Sequence, residues 1–155
     1  MFKTIQGKEA WDIHGEWIEK YNPPFAPAIA DRFKKASEVT KEDYEAAKRK
    51  QNEIILKMCG ILSNDTILIV PTTATAAPLK GEDASSVEKT RAQALKINSI
   101  AGLAELPQVT IPIQTNDGLS IGLSLIAGKH FDRSLLQFVA QHLLGAKEGK
   151  FTSNK

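Results

Sequence analysis

Cysteine is nearly absent: one residue, Cys59, in a chain of 155. A single thiol cannot close an internal disulfide and cannot build a metal site on its own. Long hydrophobic runs are missing too. The longest apolar stretches, Ile67–Val70 and Leu123–Ala127, fall far short of the roughly 20 residues a membrane-spanning helix needs. The opening MFKTIQGKEAW has no apolar core of the kind a secretory signal carries. Neither sign of charge dominates: 20 Lys and Arg against 18 Asp and Glu give a formal net charge of +2. That balance gives no reason to expect a nucleic acid or an anionic membrane as partner. What is present is a 42% hydrophobic composition, enough for one domain with a real core. These bounds describe a soluble, cytoplasmic protein with no cofactor called for.

Periodicity and punctuation divide the chain. Between Gly7 and Tyr21, the residues Ala10, Trp11, His14, Trp17, Ile18 and Tyr21 recur at three- and four-residue spacing. They predict one apolar helix face, stopped by Asn22-Pro23-Pro24. Pro27 opens a shorter helix to Ala36, with Ile29 and Phe33 inward. Thr40 caps a long helix whose first turn carries Glu42 and Asp43. Its inward stripe is Tyr44, Ala47, Gln51, Ile54, Ile55, Met58 and Leu62. Thr66–Val70 reads as a strand ended by Pro71, and Thr72–Ala84 as a loop. Ser85-x-x-Glu88 has the form of a capping box and opens a helix to about Gly102. Val109–Ile113 and Leu119–Ile126 read as strands of a hairpin turned at Asn116-Asp117-Gly118. Asp132 caps a last amphipathic helix with Leu135, Leu136, Val139 and Leu143 inward. Residues 146–155 read as a disordered tail, leaving residues 1–145 as one domain.

The strands TILIV and LSIGLSLI carry apolar side chains on both faces, as in a sheet covered by helices on two sides. Only three strands are legible, and so small a sheet leaves edges that proteins pair or cover. The chain therefore reads as part of a larger α/β structure.

Several motifs invite a chemical reading that their context defeats. Gly118-Leu119-Ser120-Ile121-Gly122 has the G-x-S-x-G form of a nucleophile elbow, and Asp132 and His142 follow in triad order. An elbow, however, needs its serine after a strand and before a helix. Here the turn precedes Ser120, which begins a strand. Asp132 and His142 are separated on one predicted helix by about 15 Å of rise, too far for the aspartate to orient the histidine. Gly122…Gly128-Lys129 has the wrong glycine spacing for a phosphate loop, and His130 stands where Ser or Thr would hold magnesium. His14, His130 and His142 have no ligand-spaced carboxylate or thiol nearby, so no metal site is expected. His14, on the apolar stripe, reads as a packed histidine, and Cys59 as a small buried residue.

The segment Val70-Pro71-Thr72-Thr73-Ala74 is different. It puts hydroxyls and free backbone groups at the C-terminal mouth of a strand, where α/β sheets bind ligands.

Four pieces taken in order, TIQGKEAWDIHGEWI, ILIVPTTATAAP, INSIAGLAELPQVTIPI and DGLSIGLSLIAG, resemble the amidase-signature family, over roughly Phe2 to Leu144. The HGEW element is similar to that of the smaller amidases and of amidase-like import-receptor domains. The resemblance implies an α/β fold, with a mixed β-sheet covered by helices on both faces, of which this chain is the C-terminal portion. It also implies hydrolysis of a carboxylic amide: a serine attacks the carbonyl, a second serine and a neutral lysine relay the proton, and backbone N–H groups hold the oxyanion. No residue here matches that Ser–Ser–Lys set, so no catalytic residue is assigned to this chain. The implied partners are an N-terminal amidase half, from the same parent or a separate chain, and a small amide substrate. The implied pocket-wall residues are Thr72, Thr73, Asn98 and Ile100, with Trp17 a further one. A non-catalytic, amidase-like interaction module is the alternative. Departures from the family pattern include the spacing from Asn98 through Gly102 to Pro107. Ser120 also stands where proline is frequent, and Ser124 where glutamine is frequent.

Overall fold

A computed structural model describes residues 1–63 and 65–144. The expected tail, 146–155, lies outside the described residues. The chain divides into two compact units, Met1–Leu56 and Lys57–Lys155.

In the first unit, α1 (Phe2–Tyr21) begins five residues earlier than its periodicity suggests. No breaker precedes Gly7, and Ile5, 6% exposed, anchors the added turn. The helix ends where Asn22 turns left-handed (φ 39°) and donates its N–H to Ile18 O at 2.9 Å. Pro23 and Pro24 then forbid continuation. At Gly15 the Trp11 ring lies so close that a Cβ there would sit 2.7 Å from it. The helix α2 (Pro27–Ser37) packs on α1 through Ala36, 3.5 Å from where a Gly7 Cβ would stand. Ala36 is the buried residue of α2; Ile29, expected inward, is 38% exposed. His14 is exposed rather than packed, its ring edge-on to Phe33 at 6.5 Å. Thr40 caps α3 (Lys41–Ile61) as expected. Its Oγ1 accepts from Asp43 N–H at 3.1 Å, and its hydroxyl donates to Asp43 Oδ2 at 2.8 Å. The stripe faces inward with Ala47 and Gln51 at its buried centre.

The second unit holds the sheet. Its strands are β1 (Leu68–Pro71), β2 (Gln108–Gln114) and β3 (Ser120–Ile126). The order is β1-β3-β2, with β3 central and both ladders antiparallel. The hairpin forms where Asn116-Asp117-Gly118 places it: Gly118 takes φ 78° and Thr115 N–H donates to Leu119 O at 2.8 Å. Side chains alternate faces along a strand, and the register puts Val109 opposite Leu125 and Ile111 opposite Leu123. That face packs against α5 (Asp132–Val139) in a core of Leu125, Ala127, Leu135 and Val139, bordered by Phe131 and Leu143. The opposite face meets α4 (Ala84–Ala104), whose Asn98 reaches it. The sheet is thus covered by helices on both faces, in an α/β class.

Local chemistry explains the boundary corrections. The cap of α4 is Asp83, not Ser85. Its Oδ1 accepts from the Ser85 and Ser86 N–H groups, each at 3.0 Å, and from Ser85 Oγ at 2.6 Å. Asp132 is the first residue of α5 and makes no capping bond; the cap position is Phe131. Leu136 points out at 58% exposure while Leu135 is 2% exposed. Cys59 is exposed rather than buried. A π-helical turn, Ala140–Leu144, continues α5.

Candidate functional site

The strand mouth after β1 is built by three elements. Pro71, opposite Leu123, closes the β1 ladder. The next residue, Thr72, continues the pairing by donating its N–H to Gly122 O at 2.8 Å. On the α4 side of the sheet, the alternation that gives the other face its leucines and isoleucines places polar residues side by side. Thr110 lies opposite Ser124 and Gln108 opposite Ile126 on one flank, and Thr72 reaches β3 on the other.

Ser124 is the hub. It is fully buried, with Thr72 Oγ1 at 2.7 Å, Thr110 Oγ1 at 2.9 Å and Gln108 Nε2 at 2.9 Å. A hydroxyl has one proton and two lone pairs. Gln108 donates to one lone pair, so one threonine donates to the other and Ser124 gives its own proton to the remaining threonine. The hydroxyl is saturated, and the three groups that hold it are neutral hydroxyls and an amide, none of them a base.

Asn98 extends the network from the helix. Its Nδ2 donates to Thr72 O at 2.9 Å and to Ala94 O at 3.1 Å, and its Oδ1 accepts from Gln108 Nε2 at 3.3 Å. Both amide protons are engaged inside the protein, so Asn98 holds the mouth in place from behind. Gly122 is required by a close approach: a Cβ there would lie 2.5 Å from Thr72 Oγ1 and 3.0 Å from Thr110 Cγ2.

The expected wall residues separate accordingly. Thr72 and Asn98 are brought together in one network. Thr73 follows in the loop, half-buried, its hydroxyl donating to Thr75 O at 2.6 Å. Ile100 is half-buried on α4, two residues beyond Asn98. Trp17 belongs to the first unit, where it is 49% exposed and meets Tyr21 at 6.5 Å and Phe25 at 6.4 Å. Sequence reasoning missed Ser124, Gln108, Thr110 and Gly122 as partners of the mouth. The signal was present in their alternation, Gln108-x-Thr110 and Gly122-x-Ser124, across a hairpin of legible register.

Ser120 is exposed and opens β3 opposite Gln114, after the turn. Lys129 pairs with Glu105 at 2.8 Å, and this carboxylate raises its pKa above the ordinary lysine value. Among the described residues, no group of three or more His, Cys, Asp or Glu side chains could hold a metal ion. Nor is any described helix long and apolar enough to cross a membrane.

The class of fold is an α/β layer structure with a hydroxyl-rich strand mouth. Comparison with known proteins gives the family. The amidase family model matches residues 6–136. Amidase 1 of Arabidopsis thaliana is 29% identical over 137 residues, covering 88% of this chain and 32% of that protein. Amidase 1 of Oryza sativa subsp. japonica is 31% identical over 91% of this chain and 33% of its own length. Outer envelope protein 64, chloroplastic, of Arabidopsis thaliana is 29% identical over 90% of this chain and 24% of its own length. Among solved structures, a vestigial protein complex bearing on the origins of an s-triazine catabolic enzyme superposes with a TM-score of 0.73 at 26% identity, covering 87% of this chain and 31% of that one. A crystal structure of an amidase reaches 0.73 at 18% identity, over 96% of this chain and 35% of that one; at that identity it speaks for the fold. The chain belongs to the amidase family. It spans about a third of the length of the amidases it matches.

Proposed function

We propose that this chain is the C-terminal part of an amidase that hydrolyses a carboxylic amide through a Ser–Ser–Lys mechanism, with the catalytic residues outside these 155. Family membership over residues 6–136 supports the reaction class. The observation that carries the division of labour is the state of the serines on the central strand. Ser124 is buried with its hydroxyl saturated, and Ser120 opens a strand after a turn. In this reading the chain supplies sheet, helical cover and one wall of the acyl pocket. Thr72 and Thr73 form that wall at the strand mouth, with Ile100 as a further wall residue and Asn98 behind. An N-terminal amidase segment is its partner and a small amide its substrate.

The second reading is a non-catalytic, amidase-like interaction module. Its support is that outer envelope protein 64, chloroplastic, which does not carry an amidase name, matches this chain at the same 29% identity as Amidase 1 of Arabidopsis thaliana.

Intact-mass analysis after treatment with a fluorophosphonate serine probe, with and without an N-terminal amidase segment, separates the two. Labelling of the added segment only when both are mixed favours the divided amidase. Labelling of the lone chain at Ser120 overturns it. Assembly of the two without labelling favours the interaction module.

A further inference from the structure

Thr72 is tethered at every polar group it has. Its N–H is held by Gly122 O at 2.8 Å, its C=O by Asn98 Nδ2 at 2.9 Å and its hydroxyl by Ser124 Oγ at 2.7 Å. The three tethers come from two elements, β3 and α4, with Asn98 26 positions and Ser124 52 positions from Thr72 in the chain. The following turn, where Thr73 Oγ1 donates to Thr75 O at 2.6 Å, takes its position from this anchor. Behind the anchor there is no slack. Gly122 leaves no room for a methyl group beside Thr72, and Ser124 is fixed in turn by Gln108 and Thr110.

A surface loop carries function when a rigid scaffold positions it, and a site loses precision when its supporting residues are loose. Resting on the amidase reading above, we propose that Ser124 is a positioning residue for substrate binding: through Thr72 it fixes the loop wall formed by Thr72 and Thr73. It touches no substrate itself, being fully buried. Its effect is therefore on how well the wall fits the bound amide, with the chemical step left to other groups.

The test uses the full 155-residue chain assembled with an N-terminal amidase segment, and compares Ser124→Ala, Ser124→Cys, Thr72→Val and the double variant Ser124→Ala/Thr72→Val. Ser124→Ala is expected to raise KM for a small amide about tenfold with kcat nearly unchanged, the pattern of lost binding. Ser124→Cys, which keeps a weak donor and acceptor, recovers part of it. The double variant is no worse than Thr72→Val alone, because both changes break one connection. A Ser124→Ala variant with unaltered KM, or effects of the two substitutions that multiply, overturns the proposal. If the native assembly hydrolyses no amide, the amidase reading fails and the tether is judged by the nitrogen-15 NMR spectrum of the lone chain. Displaced Thr72, Thr73 and Thr75 amide resonances in Ser124→Ala then support it, and unmoved resonances overturn it.

Discussion

Thr72 Oγ1 and Ser124 Oγ lie 2.7 Å apart across the sheet, although 52 positions separate them in the chain. The contact joins the end of an edge strand to the middle of the central one, and it lies on the face turned toward α4. A small polar layer around Ser124 occupies part of that face, bordered by Val70 and Ile126, while the next residue, Leu125, faces the apolar core on the other side.

Ser124→Ala removes the hub of this layer. Three partners lose a hydrogen bond at once: Gln108, Thr110 and Thr72. Water replaces it readily at exposed Thr110 but poorly behind half-buried Thr72. A buried group left unmatched costs about 1–3 kcal/mol, so the variant is expected to lose about 2 kcal/mol. Urea unfolding checks this: the midpoint falls while the slope stays constant, as for a change in stability without a change in exposed surface.

Two glycines give opposite responses to the same substitution. An alanine at Gly122 puts its Cβ 2.5 Å from Thr72 Oγ1 and 2.7 Å from Thr72 Cβ, against a residue tethered in place. Overpacking of this kind costs about 1–3 kcal/mol. Gly60, near the end of α3, has nothing within 4 Å of such a Cβ, and helical glycine is about 1 kcal/mol worse than alanine. Gly60→Ala is therefore expected to raise the thermal midpoint and Gly122→Ala to lower it. Equal shifts in one direction would count against the packing seen at Gly122.

The fold was legible where local rules decide. The Asn-Asp-Gly turn, the Thr40 cap and the stop at Asn22-Pro23-Pro24 all stand where the residues put them. Errors came where tertiary context chooses among local possibilities. Ser85 and Asp83 both suit a helix start, and the carboxylate captures two N–H groups and the Ser85 hydroxyl together. Leu136 and Leu135 are adjacent, so only one can face a sheet on one side of the helix. Cys59 is exposed because the inward stripe of α3 runs through Met58 and on to Leu62. At the site, Thr72 and Asn98 were visible as polar residues beside strand and helix. Ser124 was not, since a serine in an apolar strand acquires meaning only from the neighbours that register brings to it.

The Asp83 cap makes stability depend on acid. Hydrogen bonds from the Ser85 hydroxyl, then from the Ser86 N–H, hold the Asp83 carboxyl below its ordinary value of 3.8. A carboxylate whose pKa is lower in the folded state stabilises fully above its unfolded value. That contribution is lost as pH falls through the folded one. The native chain is thus expected to lose stability below about pH 4 by a margin that Asp83→Asn, which cannot titrate, does not show. Urea midpoints for the two proteins across this range check it: the gap between them narrows on acidification. A gap independent of pH would show that the charge adds nothing to the cap.

Leu135 and Leu136 test the placement of α5 against the sheet. Helical spacing groups both with Val139 and Leu143, yet Leu135 is 2% exposed among Leu125, Ala127 and Val139, while Leu136 is 58% exposed. Truncating a buried leucine removes transfer energy and leaves a cavity, together about 2–5 kcal/mol, whereas exposed positions away from special features stay within about 0.5 kcal/mol. Leu135→Ala should therefore unfold at markedly lower urea than the native chain, and Leu136→Ala almost together with it. The comparison isolates facing, because the two variants share helix propensity, side-chain volume and helical turn. If the costs came out equal, α5 would be rotated from the position described, and the apolar layer beneath β3 would have to close around a different set of residues.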